Sequence, residues 1–176
     1  MNEKTISSQR AFDGRLLKLD VLEVELDSGR RSRREVVRHP GAVAIWSRLP
    51  DGRFVFVRQF RKALEAELLE IVAGTLEPGE APAACAAREI REETGYDAKQ
   101  LVPLGLIYTA PGFCGERLEL FFAELLETGR PAQPDVDEVL DVVRLTRQEW
   151  QALVVRGEVH DAKTLAAWAM VQARKL

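Results

Sequence analysis

Cysteine and histidine are scarce in this chain, charge of neither sign dominates, and no long apolar run occurs. Its two cysteines, Cys85 and Cys114, lack CxxC spacing, which argues against a metal knuckle or a dithiol redox pair. The two histidines, His39 and His160, have no partner motif, so His39 before Pro40 reads as structural and His160 as a surface residue. No stretch reaches the length that spans a bilayer, and the opening MNEKTISSQR is polar where a secretory leader is apolar. The cytoplasm is the expected compartment, with both thiols reduced. A net charge of -3, with the basic residues dispersed along the chain, disfavours a nucleic-acid partner.

What is present is one compact domain's worth of chain, 176 residues with 46% hydrophobic and 30% charged. Loose alternation in Arg15–Leu26, then a turn at DSGR and a second extended segment, predicts an N-terminal antiparallel sheet. Two β-rich runs flank Pro50-Asp51-Gly52 and predict a hairpin. LLEIVAG is a short apolar run ending at Gly74, and LVPLGLIYT, RLELFFAELLE and VLDVVRL read as further strands. Thr146 and Glu149 have capping-box spacing for a helix that stops at Gly157. A last helix from about Asp161 to Lys175 places Leu165, Trp168, Ala169 and Gln172 along one side. Many strands, one helix, more strands and then two helices predict a mixed α/β or α+β domain.

The most informative stretch is GTLEPGEAPAACAAREIREETGY, Gly74 to Tyr96. Pro82 suits the first turn of a helix and Gly95 its end. Ala83, Ala86, Ala87 and Ile90 recur at helical spacing, while Glu89, Glu92 and Glu93 share one arc beside them, with Arg88 and Arg91 outside it. Like charges at this spacing repel. Two explanations stand at this point: a solvated face paired to the arginines, or a shared divalent cation whose charge outweighs the repulsion. An all-oxygen donor set suits Mg²⁺ or Mn²⁺.

Gly74, five residues, Glu80, seven residues, then Arg88-Glu89-Ile90-Arg91-Glu92-Glu93-Thr94-Gly95-Tyr96 resembles the box of the Nudix hydrolases throughout its length. The resemblance implies a Nudix α/β/α sandwich with a mixed sheet, Mg²⁺ dependence with Mn²⁺ as the substitute, and cleavage of a nucleoside diphosphate linked to another group. It makes Glu89 and Glu93 the principal metal ligands, with Glu92 for a further ion and the Ala73 carbonyl completing the set. Arg88 would hold the glutamates in place and Glu80 would support the loop. Residues 1–40 are then a small N-terminal β-sheet region serving dimerisation, and residues 41–176 the Nudix domain with its box at 74–96.

Pro111 lies sixteen residues beyond Gly95, in YTAPGFCGE, and this offset resembles the ADP-ribose pyrophosphatase subgroup. HPGAVAI, VRQFR and LEIVAG resemble the same subgroup. Ala110 stands where that subgroup often has serine, so a hydroxyl is missing there. The resemblance implies a homodimer and a substrate loop containing Pro111 and Gly112. Trp46 is a candidate to stack on the base, with core packing as the alternative. Arg61 is a candidate to hold the diphosphate or terminal ribose, with a solvated strand-end arginine as the alternative. The resemblance implies a base for the attacking water in the acidic loop PDVDEVL, where Glu138 is the first candidate and Glu116 of PGFCGE the second, with a solvated loop acid as the alternative for Glu138.

Hydrolysis of ADP-ribose to AMP and ribose 5-phosphate is the expected reaction. Another nucleoside diphosphate sugar, such as GDP-mannose, is the rival substrate. A silent nucleotide-sensing Nudix domain is the rival class, opposed by the presence of every box acid.

Overall fold

A computed structural model describes residues 2–133 and 139–176. The chain forms two compact units. One holds the chain up to Gly41 together with Tyr108–Leu118, and the other holds Ala42–Ile107 and Glu119–Leu176. The return of Tyr108–Leu118 to the N-terminal unit has no signature in the sequence pattern.

The smaller unit is built on a three-stranded antiparallel sheet, β1 (Glu3–Asp13), β2 (Lys18–Leu26) and β3 (Arg31–Arg38), in that spatial order. The last two match the predicted sheet. β1 is an addition: every one of its residues is exposed, so it carries no apolar alternation by which to recognise it. It is held by backbone pairing from Glu3↔Leu26 to Asp13↔Lys18 and by Arg10 on Asp20.

The larger unit is a layered sandwich. β4 (Ala42–Arg48) has both faces covered, so it reads as an unbroken apolar run instead of an alternating one. β5 (Phe54–Arg61) follows through the predicted turn, in which Leu49 and Arg53 are backbone-paired and the Asp51 carboxylate accepts the Arg53 N–H. The single strand expected at LLEIVAG is instead two. β6 (Ala66–Glu70) pairs with β5, and β7 (Val72–Thr75) pairs with β4. Ile71 marks the break; its buried N–H donates to the Thr164 hydroxyl at 2.9 Å, which satisfies a group the ladder has released.

α1 (Pro82–Thr94) packs on β4 and β7, burying Val43, Ile45, Val72, Cys85, Ala86 and Ile90. β8 (Asp97–Tyr108), β9 (Arg117–Leu126) and β10 (Leu140–Leu145) complete a sheet of order β10-β5-β4-β9-β8. α2 (Arg147–Val155) opens with the predicted capping box, and α3 (Ala162–Arg174) packs on β4. The buried stripe of α3 is Thr164, Ala167 and Val171. It differs from the predicted side because Ala169 and Gln172 are exposed. The α/β sandwich with a mixed sheet and a small N-terminal antiparallel sheet is the architecture the sequence implied.

Candidate active site

α1 starts without a side-chain cap, on Pro82, and ends at Gly95, whose φ of 74° lets its N–H reach the Arg91 carbonyl. Gly95 is needed twice over, since a Cβ there would stand 2.4 Å from the Arg130 carbonyl. The helix face turned inward differs from the one expected: Ala83 is exposed, and Cys85, Ala86, Glu89, Ile90 and Glu93 are buried. Two of the acids therefore lie within the buried face, not beside it. Burial also pushes the Cys85 thiol up to about 12, so it is a packed, protonated group.

Arg88 is not outside the acidic arc but at its hub. Its Nε and Nη2 donate to the two Glu80 oxygens at 2.9 and 3.0 Å, and its Nη1 donates to Glu89 at 2.7 Å and Glu92 at 2.9 Å. One guanidinium thus ties the loop before the helix to two helical carboxylates. The forked donor set of arginine makes this arrangement available where lysine's single ammonium does not. Arg88 holds the Glu80 carboxyl down to about 2, and Glu80 is also the acceptor for the Glu77 N–H.

Glu89 is 8% exposed and Glu93 4%. The Glu89 carboxylate lies against Gly74 so closely that a Cβ on residue 74 would stand 1.8 Å from Oε1. The glycine supplies room for a carboxylate, not a special turn. Glu92 is more open, with its side chain 38% exposed. Among the described residues, no three histidine, cysteine or acidic side chains already close on one point as a metal cluster. The donor set nevertheless fits a hard cation: two buried carboxylates and a more exposed third on one helix, pressed on the strand that carries Ala73 and Gly74.

Arg61 and Trp46 are carried by strands, at the end of β5 and within β4. Arg61 makes a forked pair with Glu70, Nε to Oε1 at 2.6 Å and Nη2 to Oε2 at 2.7 Å. Glu70 is 1% exposed and also receives Lys163 Nζ, which bonds Asp161 at 3.0 Å. Burial pushes the Glu70 carboxyl up, and its two cations more than offset this, holding it below the usual range. The sequence reading missed this network. Its one signal was a lone acid, Glu70, inside the apolar run LLEIV.

Trp46 corrects the stacking expectation. It is fully buried, stacked on Trp168 at 5.0 Å and edge-on to Phe54, Phe56 and Trp150. A ring covered by four others offers no face to a base, and the packing alternative holds.

The loop with Pro111 and Gly112 belongs to the smaller unit, where both residues are exposed. It is stitched to β3 by Val37 N–H to the Phe113 carbonyl and Gly115 N–H to the Val37 carbonyl. In the same unit Thr109 donates to Glu116 at 2.6 Å, and His39 Nε2 lies 3.7 Å from the other Glu116 oxygen. His39 Nδ1 accepts the Gly41 N–H, the structural role expected of it. Glu138 lies outside the described residues. The preceding chain is tied to α1, with the Gln133 N–H donating to the Glu92 carbonyl at 2.7 Å.

Comparison with known proteins extends the picture. Residues 37–168 match the model of the NUDIX domain. The chain is 43% identical to the ADP-ribose pyrophosphatase of Bacillus subtilis (strain 168), over 99% of this chain and 95% of that one. It is 41% identical to the methanol dehydrogenase activator of Bacillus methanolicus, covering 98% and 94%. The GDP-mannose pyrophosphatase of Citrobacter koseri is 34% identical over 77% of this chain and 75% of its own. A solved ADP compounds hydrolase superposes with a TM-score of 0.85 at 22% identity, covering 98% and 94%, which supports the fold. Matched along most of its length and carrying each acid of the Gly74–Tyr96 stretch, the chain belongs to the Nudix family.

Proposed function

We propose that this protein is a Mg²⁺-dependent ADP-ribose diphosphatase that hydrolyses its substrate to AMP and ribose 5-phosphate. The observation that carries the reading is the full-length similarity, 43% over 99% of the chain, to a protein named for that activity. Glu89, Glu92 and Glu93 on one helix agree with it, as an all-oxygen donor set of the kind that suits a hard divalent cation.

Glu89 and Glu93, with Glu92 and the Ala73 carbonyl, are the groups that would hold Mg²⁺ or Mn²⁺. When bound, the ion would lower the pKa of a water and neutralise phosphate oxygens. Arg88 holds the glutamates against their mutual repulsion. Arg61, forked onto Glu70, is the cation assigned to the diphosphate, and the Pro111-Gly112 loop is assigned to substrate contact. A carboxylate takes the proton of the attacking water, and Glu138 is the residue assigned to it, with Glu116 as second choice.

GDP-mannose is the weaker substrate reading, because the pyrophosphatases of that name are less similar, at 34% identity for one and 29% for another. The reading includes a homodimer, to which the exposed Ile6 and Phe12 of β1 lend apolar surface, and a cytoplasmic setting. No helix among the described residues is long and apolar enough to cross a membrane.

The test is product analysis. ADP-ribose incubated with the protein and Mg²⁺ yields AMP and ribose 5-phosphate, and chelation of the metal abolishes both. Binding without products would instead favour the sensing class.

A further inference from the structure

The Arg61 network is more elaborate than an isolated ion pair requires. Glu70 is buried at the end of β6, and one bidentate arginine is enough to compensate a carboxylate. Here a second cation, Lys163 from the first turn of α3, shares the Oε2 oxygen that Arg61 Nη2 already occupies. Lys163 is itself fixed by Asp161, the residue that caps α3 by accepting the Thr164 N–H at 3.0 Å. Thr164 in turn holds the Ile71 N–H at 2.9 Å, so the α3 N-terminus is clamped onto the β6–β7 break.

The four charged groups sum to zero, but they are not equally placed. The side chains of Glu70, Lys163 and Asp161 are 1%, 13% and 13% exposed, whereas Arg61 is 40% exposed. Three inner groups therefore form a cradle of net charge −1, and Arg61 lies on it as the outermost member. Its Nε and Nη2 are engaged, while among the described residues Nη1 makes no hydrogen bond. Glu93 of the box also acts electrostatically on Arg61.

Removing the Lys163 charge would change the cradle to −2. Among the described residues of this network Arg61 would then be left as the counter-cation for two low-exposure carboxylates, and the whole cluster would be anionic at the point where an anion has to approach. We propose that Lys163 is a positioning residue for substrate binding: by sharing Glu70 with Arg61 it keeps the cluster neutral and leaves the Nη1 edge of a fixed guanidinium to a diphosphate. This inference rests on the functional reading above for its substrate. It makes the α3 N-terminus part of substrate recognition rather than of the fold alone.

The experiment compares wild type, Lys163→Met, Lys163→Arg and the double variant Glu70→Gln/Lys163→Met, the last of which restores neutrality. Steady-state kinetics on ADP-ribose with Mg²⁺ at low and high salt are read beside calorimetric binding of ADP with Mg²⁺. Lys163→Met is expected to raise KM and weaken ADP by about tenfold with kcat little changed, and this loss shrinks as salt screens the charge. Lys163→Arg recovers most of it, and the double variant, which gives up one acceptor of the Arg61 fork, recovers its salt-sensitive part. An unchanged KM and ADP affinity in folded Lys163→Met overturns the proposal. So does a loss that salt does not alter and that neither the arginine nor the double variant repairs. If Lys163→Met fails to fold, Lys163→Gln, which removes the same charge with a polar side chain, carries the same comparison. A wild type that binds ADP without hydrolysing ADP-ribose refutes the functional reading alone, and the ADP affinities then decide the role of Lys163. A wild type that neither binds ADP nor turns over ADP-ribose overturns both.

Discussion

The α-carbon of Gly74 and the carboxylate of Glu89 are in such close approach that a Cβ on residue 74 would stand 1.8 Å from Oε1. The glycine that opens the box and the first acid of its helix are therefore one structural unit. Gly74→Ala should push the Glu89 carboxylate away from its position while leaving the β4–β7 pairing in place, because the backbone at 74 needs no positive φ. Activity should fall by about 10²-fold, the usual cost of misplacing a reacting group by an ångström. Parallel kinetics and thermal melting check this; wild-type kcat in the variant would show that the close contact is incidental.

Glu93 is the most buried of the box acids. Glu93→Gln preserves volume and removes the charge that would attract a cation. Turnover should drop by on the order of 10³-fold, with weaker Mn²⁺ binding and little change in melting temperature. Titration with Mn²⁺ followed by paramagnetic resonance reads the metal directly.

Trp46 stacks on Trp168 in a closed aromatic cluster, so its substitution should affect the fold and not the substrate. Trp46→Phe is expected to lower stability by about 1–3 kcal/mol through the void it leaves, with KM for ADP-ribose unchanged. A selective rise in KM in a stable Trp46→Phe protein would restore the base-stacking role.

Acid should act through Glu80. Arg88 holds its carboxyl at about 2, below the ordinary value of 4.5, so the folded state binds a proton less readily than the unfolded chain. A depressed carboxyl contributes stability that is fully present above the unfolded value and is lost as pH falls through the window from 4.5 to about 2. Glu80→Gln should therefore cost about 1–3 kcal/mol at pH 7, as for hydrogen bonds to a charged group. The difference from wild type should vanish toward the low end of that window. Urea unfolding across this range gives the comparison.

The two candidate bases separate by pH profile. Glu138→Gln is expected to reduce kcat by about 10²–10⁴-fold and to remove the acidic limb of the profile, whereas Glu116→Gln, a residue held by Thr109, keeps that limb. The opposite pattern would exchange their roles.

Local rules were readable wherever a residue pattern had a single physical outcome. The Asp51-Gly52 turn, the Thr146 capping box and the Gly95 helix end each depend on neighbours in sequence, and each forms as predicted. What escaped depends on tertiary context. β1 has no buried face, so nothing in its pattern distinguishes it from a polar tail. LLEIVAG is apolar throughout, and only the Thr164 hydroxyl, far along the chain, shows why the ladder changes partner at Ile71. Trp46 carried two readings, and burial by Trp150 and Trp168 decides between them. At the box, spacing located the acids, but the wheel placed Arg88 outside their arc because it took no account of Glu80 across the loop. Lys163 was invisible for the same reason: its partner, Glu70, lies on another element.

This Nudix chain should select ADP-ribose over other nucleotides. The most direct measurement is kcat/KM with Mg²⁺ for ADP-ribose, ADP-glucose, GDP-mannose, NADH and a nucleoside triphosphate, side by side, since specificity is a ratio of these values. ADP-ribose should exceed each of the others by at least about tenfold. A higher value for GDP-mannose or for the triphosphate would show that ADP-ribose is not the selected substrate.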